Sequence, residues 1–90
     1  MSGDADAIEV DSESVWPADA EDVEEAVVSN WFVREGDTVS EGDTIAEIQI
    51  EKVGIDVPTP TTGEIAEILI EEQGEFQRGD VLARISATSK

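Results

Sequence analysis

The sequence contains no cysteine, no histidine and no tyrosine, a single methionine, and five basic residues among ninety. Without cysteine there is no disulfide framework and no thiol nucleophile. Without histidine as well, there is no cysteine–histidine zinc site and no imidazole general base. No run approaches the ~20 apolar residues of a membrane span, and no basic segment leads into an apolar one as in a secretory leader. Five bases against 23 acids leave a formal charge of -18. A field of that sign repels phosphates, which excludes nucleic acid as a partner. A chain this short buries only ~60–65% of its unfolded surface, which leaves little room for a catalytic cleft.

The acids are unevenly spread. Residues 1–26 carry ten acids and no base; residues 27–90 carry thirteen acids and all five bases. Residues 1–11, with almost nothing apolar between the acids, read as a disordered, self-repelling tail, and residues 88–90 as a short C-terminal tail. Two explanations of the acidity compete: the cytoplasm of a high-salt organism, where dense carboxylates are screened and hold water, or a docking face for a basic partner. Two lysines, and fourteen Glu against nine Asp, favour the first.

Strand signals dominate what remains. Ala46, Ile48 and Ile50 alternate with Glu47 and Gln49. Val53, Ile55 and Val57 alternate with Gly54, Asp56 and Pro58. Val81, Ala83, Ile85 and Ala87 alternate with Leu82, Arg84 and Ser86. Such alternation puts one face inward and one in water. Turn-formers separate the runs at Gly36-Asp37, Gly42-Asp43, Pro58-Thr59-Pro60, Thr62-Gly63, Gly74 and Gly79-Asp80. Short strands with frequent turns predict an all-β sandwich or barrel. Trp16, Trp31 and Phe32 are expected in the core, and Phe76 in an exposed turn.

The chain also repeats. Gly42-Asp43-Thr44-Ile45-Ala46-Glu47-Ile48 reads like Gly79-Asp80-Val81-Leu82-Ala83-Arg84-Ile85. Trp31 to Asp37 reads like Ile68 to Glu75, with a residue gained at Gln73 and one lost before Gly79. Two copies are too few for a solenoid, but they can close one core with pseudo-twofold symmetry. After Ile85 the second half ends, whereas the first continues through Gln49-Ile50-Glu51-Lys52-Val53. If Ile50 and Val53 pair, Glu51 and Lys52 become the central residues of a hairpin turn, expected to be type I. An exposed lysine solvating a turn is the bland reading. A long amine on a rigid tip is also a good attachment point.

The stretch from Gly36 through Val53, then Ile55-Asp56-Val57-Pro58, Thr62-Gly63, Gly74, Gly79-Asp80 and Leu82 to Ile85, resembles the biotinyl/lipoyl carrier-domain family. With Val15-Trp16-Pro17 as a first strand, the resemblance covers about residues 12–87. Gly36 to Lys52 fits without a gap, as do the Pro six residues after the lysine and the Gly eleven after it. The resemblance implies a flattened β-barrel, or barrel-sandwich hybrid, of two four-stranded antiparallel sheets. It implies a prosthetic group amide-linked to Lys52, with Glu51, Val53, Gln49 and the Gly36 loop as recognition elements around it. Biotin carriers usually flank the lysine with methionine. Lipoyl domains usually place Asp before it and Ala or Val after it. Glu51 and Val53 therefore point to lipoate, with Glu for the usual Asp, and Gln49 where many lipoyl domains carry Glu.

A lipoyl carrier of a 2-oxo-acid dehydrogenase-type system is not itself an enzyme. The implied partners are a lipoate ligase or lipoyl transferase, a thiamine-dependent dehydrogenase, an acyltransferase and a flavin dihydrolipoyl dehydrogenase. No membrane, nucleic acid or metal partner is implied, and the carrier is expected to be a monomer. The dithiolane would supply redox sulfurs that the chain lacks. The chain opens with Met and ends without a Pro/Ala-rich linker, which leads to the expectation of a separate carrier protein. The alternatives are a biotin carboxyl carrier and an unmodified acidic interaction module.

Overall fold

β-Branched residues at alternate positions, cut by turns every six to twelve residues, give this chain eight strands and no α-helix among the described residues. A computed structural model describes residues 7–87. The strands are β1 (Ala7–Asp11), β2 (Glu25–Trp31), β3 (Thr38–Val39), β4 (Thr44–Ile50), β5 (Val53–Pro58), β6 (Gly63–Ile68), β7 (Glu75–Gln77) and β8 (Val81–Ala87). They form two four-stranded sheets, ordered β1-β8-β6-β3 and β5-β4-β2-β7, with every pair antiparallel. The sheets enclose one core, and backbone pairing does not join them into a closed barrel. No helix among the described residues is long and apolar enough to cross a membrane.

Residues 25–50 and 62–87 are equivalent at an offset of 37 residues, and without a gap. The Gly36 amide donates to the Ile65 carbonyl (2.8 Å), and the Gln73 amide to the Val28 carbonyl (2.7 Å). Gln73, at φ 70, takes the left-handed place of Gly36, at φ 96. The residue gained at Gln73 in the sequence alignment is therefore a substitution, not an insertion. A side chain in this region carries strain that glycine escapes, so matching glycine to glycine misplaced the register by one.

Bulges explain runs of apolar residues that strict alternation does not. In β4, Thr44 faces Pro58 and Ala46 faces Val57, so Ile45 is the extra residue. In β8, Val81 faces Asp11 and Ala83 faces Val10, so Leu82 is extra. A bulge turns two consecutive side chains to one face. Ile45 and Ala46 are both fully buried, as are Leu82 and Ala83. They join Val28, Ile48, Ile50, Val57, Ile65 and Ile85 in the core.

Several expectations change. Ala7–Asp11, assigned above to the acidic tail, form an edge strand, because Ile8 and Val10 pair with β8 and Val10 is buried. Residues 1–6 of that tail, and 88–90, lie outside the described residues. Val15-Trp16-Pro17 is not a strand. Ser12–Val15 form a 3-10 helix capped by the Asp11 carboxylate on the Glu13 amide (2.9 Å), and a second short one spans Ala18–Ala20. Phe76 is 3% exposed, and Phe32 is 56% exposed. Phe76 is the structural counterpart of core residue Val39, whereas Phe32 follows the last residue of β2 and points away from the core.

Gly63 tests the packing between β6 and β8. A Cβ there would strike the Ser86 carbonyl oxygen and press on Ala87. Gly63→Ala should lower stability by ~2 kcal/mol and the thermal midpoint by roughly 10 °C, read from the fluorescence of Trp16 and Trp31. An unchanged midpoint would mean that these strands separate freely.

Candidate functional site

The turn between β4 and β5 is a two-residue loop. Ile50 pairs with Val53, leaving Glu51 and Lys52 at the tip. Ile48 and Ile50 point inward and are buried, so the alternate residues Gln49 and Glu51 point to solvent. Glu51 has φ 57, which rules out the expected type I turn. Two-residue hairpins favour primed turns, whose twist matches the strands they join. A non-glycine residue in that region costs about 1–2 kcal/mol. Gln49 braces the turn: its Nε2 donates to the Glu51 carbonyl at 3.2 Å, on the peptide that leads into Lys52.

Lys52 is exposed and is the only lysine among the described residues. Its amine takes part in none of the ion pairs found among them. Val53 beside it is 57% exposed. On the outer face of the sheet, Val27 stands between Gln49 on β4 and Glu75 on β7. Glu25, Val27, Gln49, Glu51 and Glu75 line a shallow depression at the foot of the turn. The surroundings are thus anionic, with one free cation at the apex.

The structure brings Gln49, Glu51, Lys52 and Val53 together, but not Gly36. Phe32, four residues before Gly36, donates to the Ile45 carbonyl at the opposite end of β4, and Gly36 itself bonds to Ile65 in the other sheet. The five steps from Ile45 to Ile50 span ~16 Å at strand rise. Gly36 therefore serves its own tight turn. The sequence reading missed Glu25 and Glu75. β2 pairs with β4 and β7 pairs with β2, and this long-range pairing brings Glu25 and Glu75 to the foot of the turn.

No group of three metal-ligating side chains occurs among the described residues. The two buried polar side chains among the described residues, Ser12 and Thr59, hold loops: Ser12 Oγ accepts from the Gly79 amide, and Thr59 Oγ1 donates to the Thr61 carbonyl. In the second half the strand ends matching Ile50 and Val53 are those of β8 and β1, which meet at the Ala7–Ser86 pair with no turn among the described residues joining them.

A family model described as "Biotin-requiring enzyme", for biotin- and lipoyl-bearing domains, matches residues 13–85. Curated relatives include the dihydrolipoyllysine-residue acetyltransferase component of the pyruvate dehydrogenase complex from Staphylococcus aureus (strain N315). It is 37% identical over 71 residues, which cover 79% of this chain and 16% of the relative. The component of the same name from Staphylococcus epidermidis (strain ATCC 12228 / FDA PCI 1200) is 35% identical over the same length and shares. The chain therefore spans 16% of the length of these relatives.

Gln49→Glu removes the donor that braces the turn and sets a carboxylate against the Glu51 carbonyl. One such bond contributes about 0.5–1.5 kcal/mol, so amide exchange at Val53, which pairs with Ile50 across the turn, should quicken by roughly 2- to 10-fold, with Ile48 unchanged. Equal exchange in both proteins would show that the turn needs no brace.

Proposed function

Because the chain belongs to the biotinyl/lipoyl family, we propose that it is a lipoyl carrier domain, running from Ala7 to Ala87, whose attachment site is Lys52. The observation that carries this reading is the exposed amine at the centre of a two-residue turn, with Glu51 before it and Val53 after it. The relatives are named for a dihydrolipoyllysine residue, which supports lipoate over biotin. So does the absence of methionine beside the lysine; Met1 is the only methionine in the chain.

The residues fit the group. The amine is solvent-exposed and outside every ion pair among the described residues, so a modifying enzyme reaches it without displacing a partner. When attached, lipoate would supply the disulfide–dithiol couple on which acyl groups and electrons travel. The chain supplies geometry. Ile48 and Ile50 anchor β4 in the core, Gln49 holds the Glu51 peptide, and the Lys52 side chain adds four rotatable bonds beyond a fixed base. Glu25, Glu51 and Glu75 form the acidic rim that a partner meets. Amide formation removes the charge of Lys52, leaving that rim uncompensated. Tethering raises the local concentration of the attached group at successive active sites.

On this reading the partners are a lipoate ligase or lipoyl transferase, a thiamine-dependent 2-oxo-acid dehydrogenase, an acyltransferase and a flavin dihydrolipoyl dehydrogenase.

Intact mass after incubation with lipoate ligase, lipoate and ATP tests the attachment. The parent chain should gain one lipoyl group, and Lys52→Arg should gain none. A biotin adduct on the natively produced protein, or an adduct that survives Lys52→Arg, would refute the assignment.

A further inference from the structure

The twofold equivalence fails in one large place. From β5 to β6 the chain takes four residues, Thr59–Thr62; the matching step from β1 to β2 takes thirteen, Ser12–Glu24. This excursion belongs to the half that carries Lys52, and it delivers the chain to Glu25 on the rim of the lysine turn. It holds five acids (Glu13, Asp19, Glu21, Asp22 and Glu24) and no base. Five like charges within thirteen residues repel one another. The apolar anchors Val15, Trp16, Ala20 and Val23 are only partly buried.

One cation meets the excursion, and it comes from the opposite half. Arg78, in the turn after β7, forms a two-pronged pair with Glu13: Nε to Oε1 and Nη2 to Oε2, both at 3.0 Å. Its Nη1 donates to the Glu21 carbonyl at 2.9 Å, and its backbone amide to the Glu24 carbonyl at 2.9 Å. Its guanidinium lies 6.0 Å from the Trp16 ring centroid, within cation–π range. Trp16 packs edge-on against Phe76 at 6.3 Å and donates its indole N–H to the Ala20 carbonyl. A single arginine thus holds the excursion at Glu13, Glu21 and Glu24, the first two through its guanidinium and the last through its backbone amide. The forked geometry needs arginine, since lysine is a point charge without the fork.

We propose that Arg78 is a positioning residue for the reactions at Lys52. It holds the Ser12–Glu24 excursion in one conformation, so that the surface a modifying enzyme meets beside the turn is preformed. This rests on the carrier reading above. Preformed surfaces bind more tightly because less ordering is left to the moment of contact. The hydrogen bond from Arg78 also holds the Glu13 carboxyl below its usual range. A lowered carboxyl stabilises the fold above its unfolded pKa, and that contribution is lost as pH falls through the folded value. With Glu21 and Glu24 also facing the guanidinium, the clamp is fully engaged at neutral pH.

The test compares Arg78→Gln, Arg78→Lys and Arg84→Gln. Arg84 pairs with Glu9 and Glu67 on the other sheet, so its loss matches the change in charge without touching the excursion. Each variant is assayed with lipoate ligase, lipoate and ATP, and the indole N–H resonances of Trp16 and Trp31 are recorded alongside amide protection at Val28 and Ile48. Arg78→Gln should shift Trp16 but not Trp31, retain core protection, and raise KM for the carrier about fivefold with kcat within about twofold. Arg78→Lys should restore part of that loss, and Arg84→Gln should match the parent. An unchanged KM in Arg78→Gln would overturn the proposal, as would an equal rise in Arg84→Gln. Failure of the parent chain to be modified at Lys52 would instead overturn the carrier reading, while the Trp16 shift would still report the clamp.

Discussion

The structure depends on mutual burial across a pseudo-twofold axis. Val28, Ile48 and Ile50 of one half, and Ile65, Leu82 and Ile85 of the other, are each at most 2% exposed. Neither set could be covered by its own strands, because a short antiparallel ribbon has only one inward face. The bulges at Ile45 and Leu82 turn an extra side chain into the core at symmetry-related points. Everything outside the core, including the lysine turn, is held in place by this packing.

A chain of net charge -18 needs its carboxylates to do more than solvate. Asp11, Asp37, Asp43 and Asp80 each accept a backbone amide, from Glu13, Arg34, Ser40 and Gln77 respectively, all at 2.9 Å. The last two are symmetry mates: Gly42-Asp43 and Gly79-Asp80 build the same turn, with glycine φ near 93 and 92. Glu35 reaches across to the Ile68 amide. These carboxylates replace turn hydrogen bonds that neutral loops would draw from water. Five further acids lie in the Ser12–Glu24 excursion, and Glu25, Glu51 and Glu75 border the Lys52 turn.

The fold was legible in the sequence because the strong strands alternate cleanly and repeat at a fixed spacing. The lysine tip was legible because Ile50 and Val53 leave two residues between them. What was not legible has physical causes. Ala7–Asp11 offers two aliphatic residues among acids, and pairing with β8, remote in sequence, makes it a strand. Phe32 and Phe76 exchanged places because hydrophobicity alone does not say on which side of a strand end a ring falls. The turn type was missed because Glu51 occupies a backbone region that its residue type avoids. The Gly36 loop was drawn toward the lysine by the resemblance, whereas the strand register separates them by the length of β4.

The symmetry also shows what distinguishes the lysine from an ordinary surface residue. At the equivalent point of the second half β1 starts at Ala7 and β8 stops at Ala87, and no turn among the described residues joins the two strands. In the first half the same point is closed by two residues, one of them strained. Strain at a tip persists only where the surrounding structure over-determines it. Here Ile48 and Ile50 below, and the Gln49 amide beside, provide that determination. A stiff base under a flexible side chain confines the volume that the amine samples, and the Ser12–Glu24 excursion leads directly into Glu25 on the rim of that turn. Exposure and an acidic rim coincide at this turn, on a base that the core holds fixed.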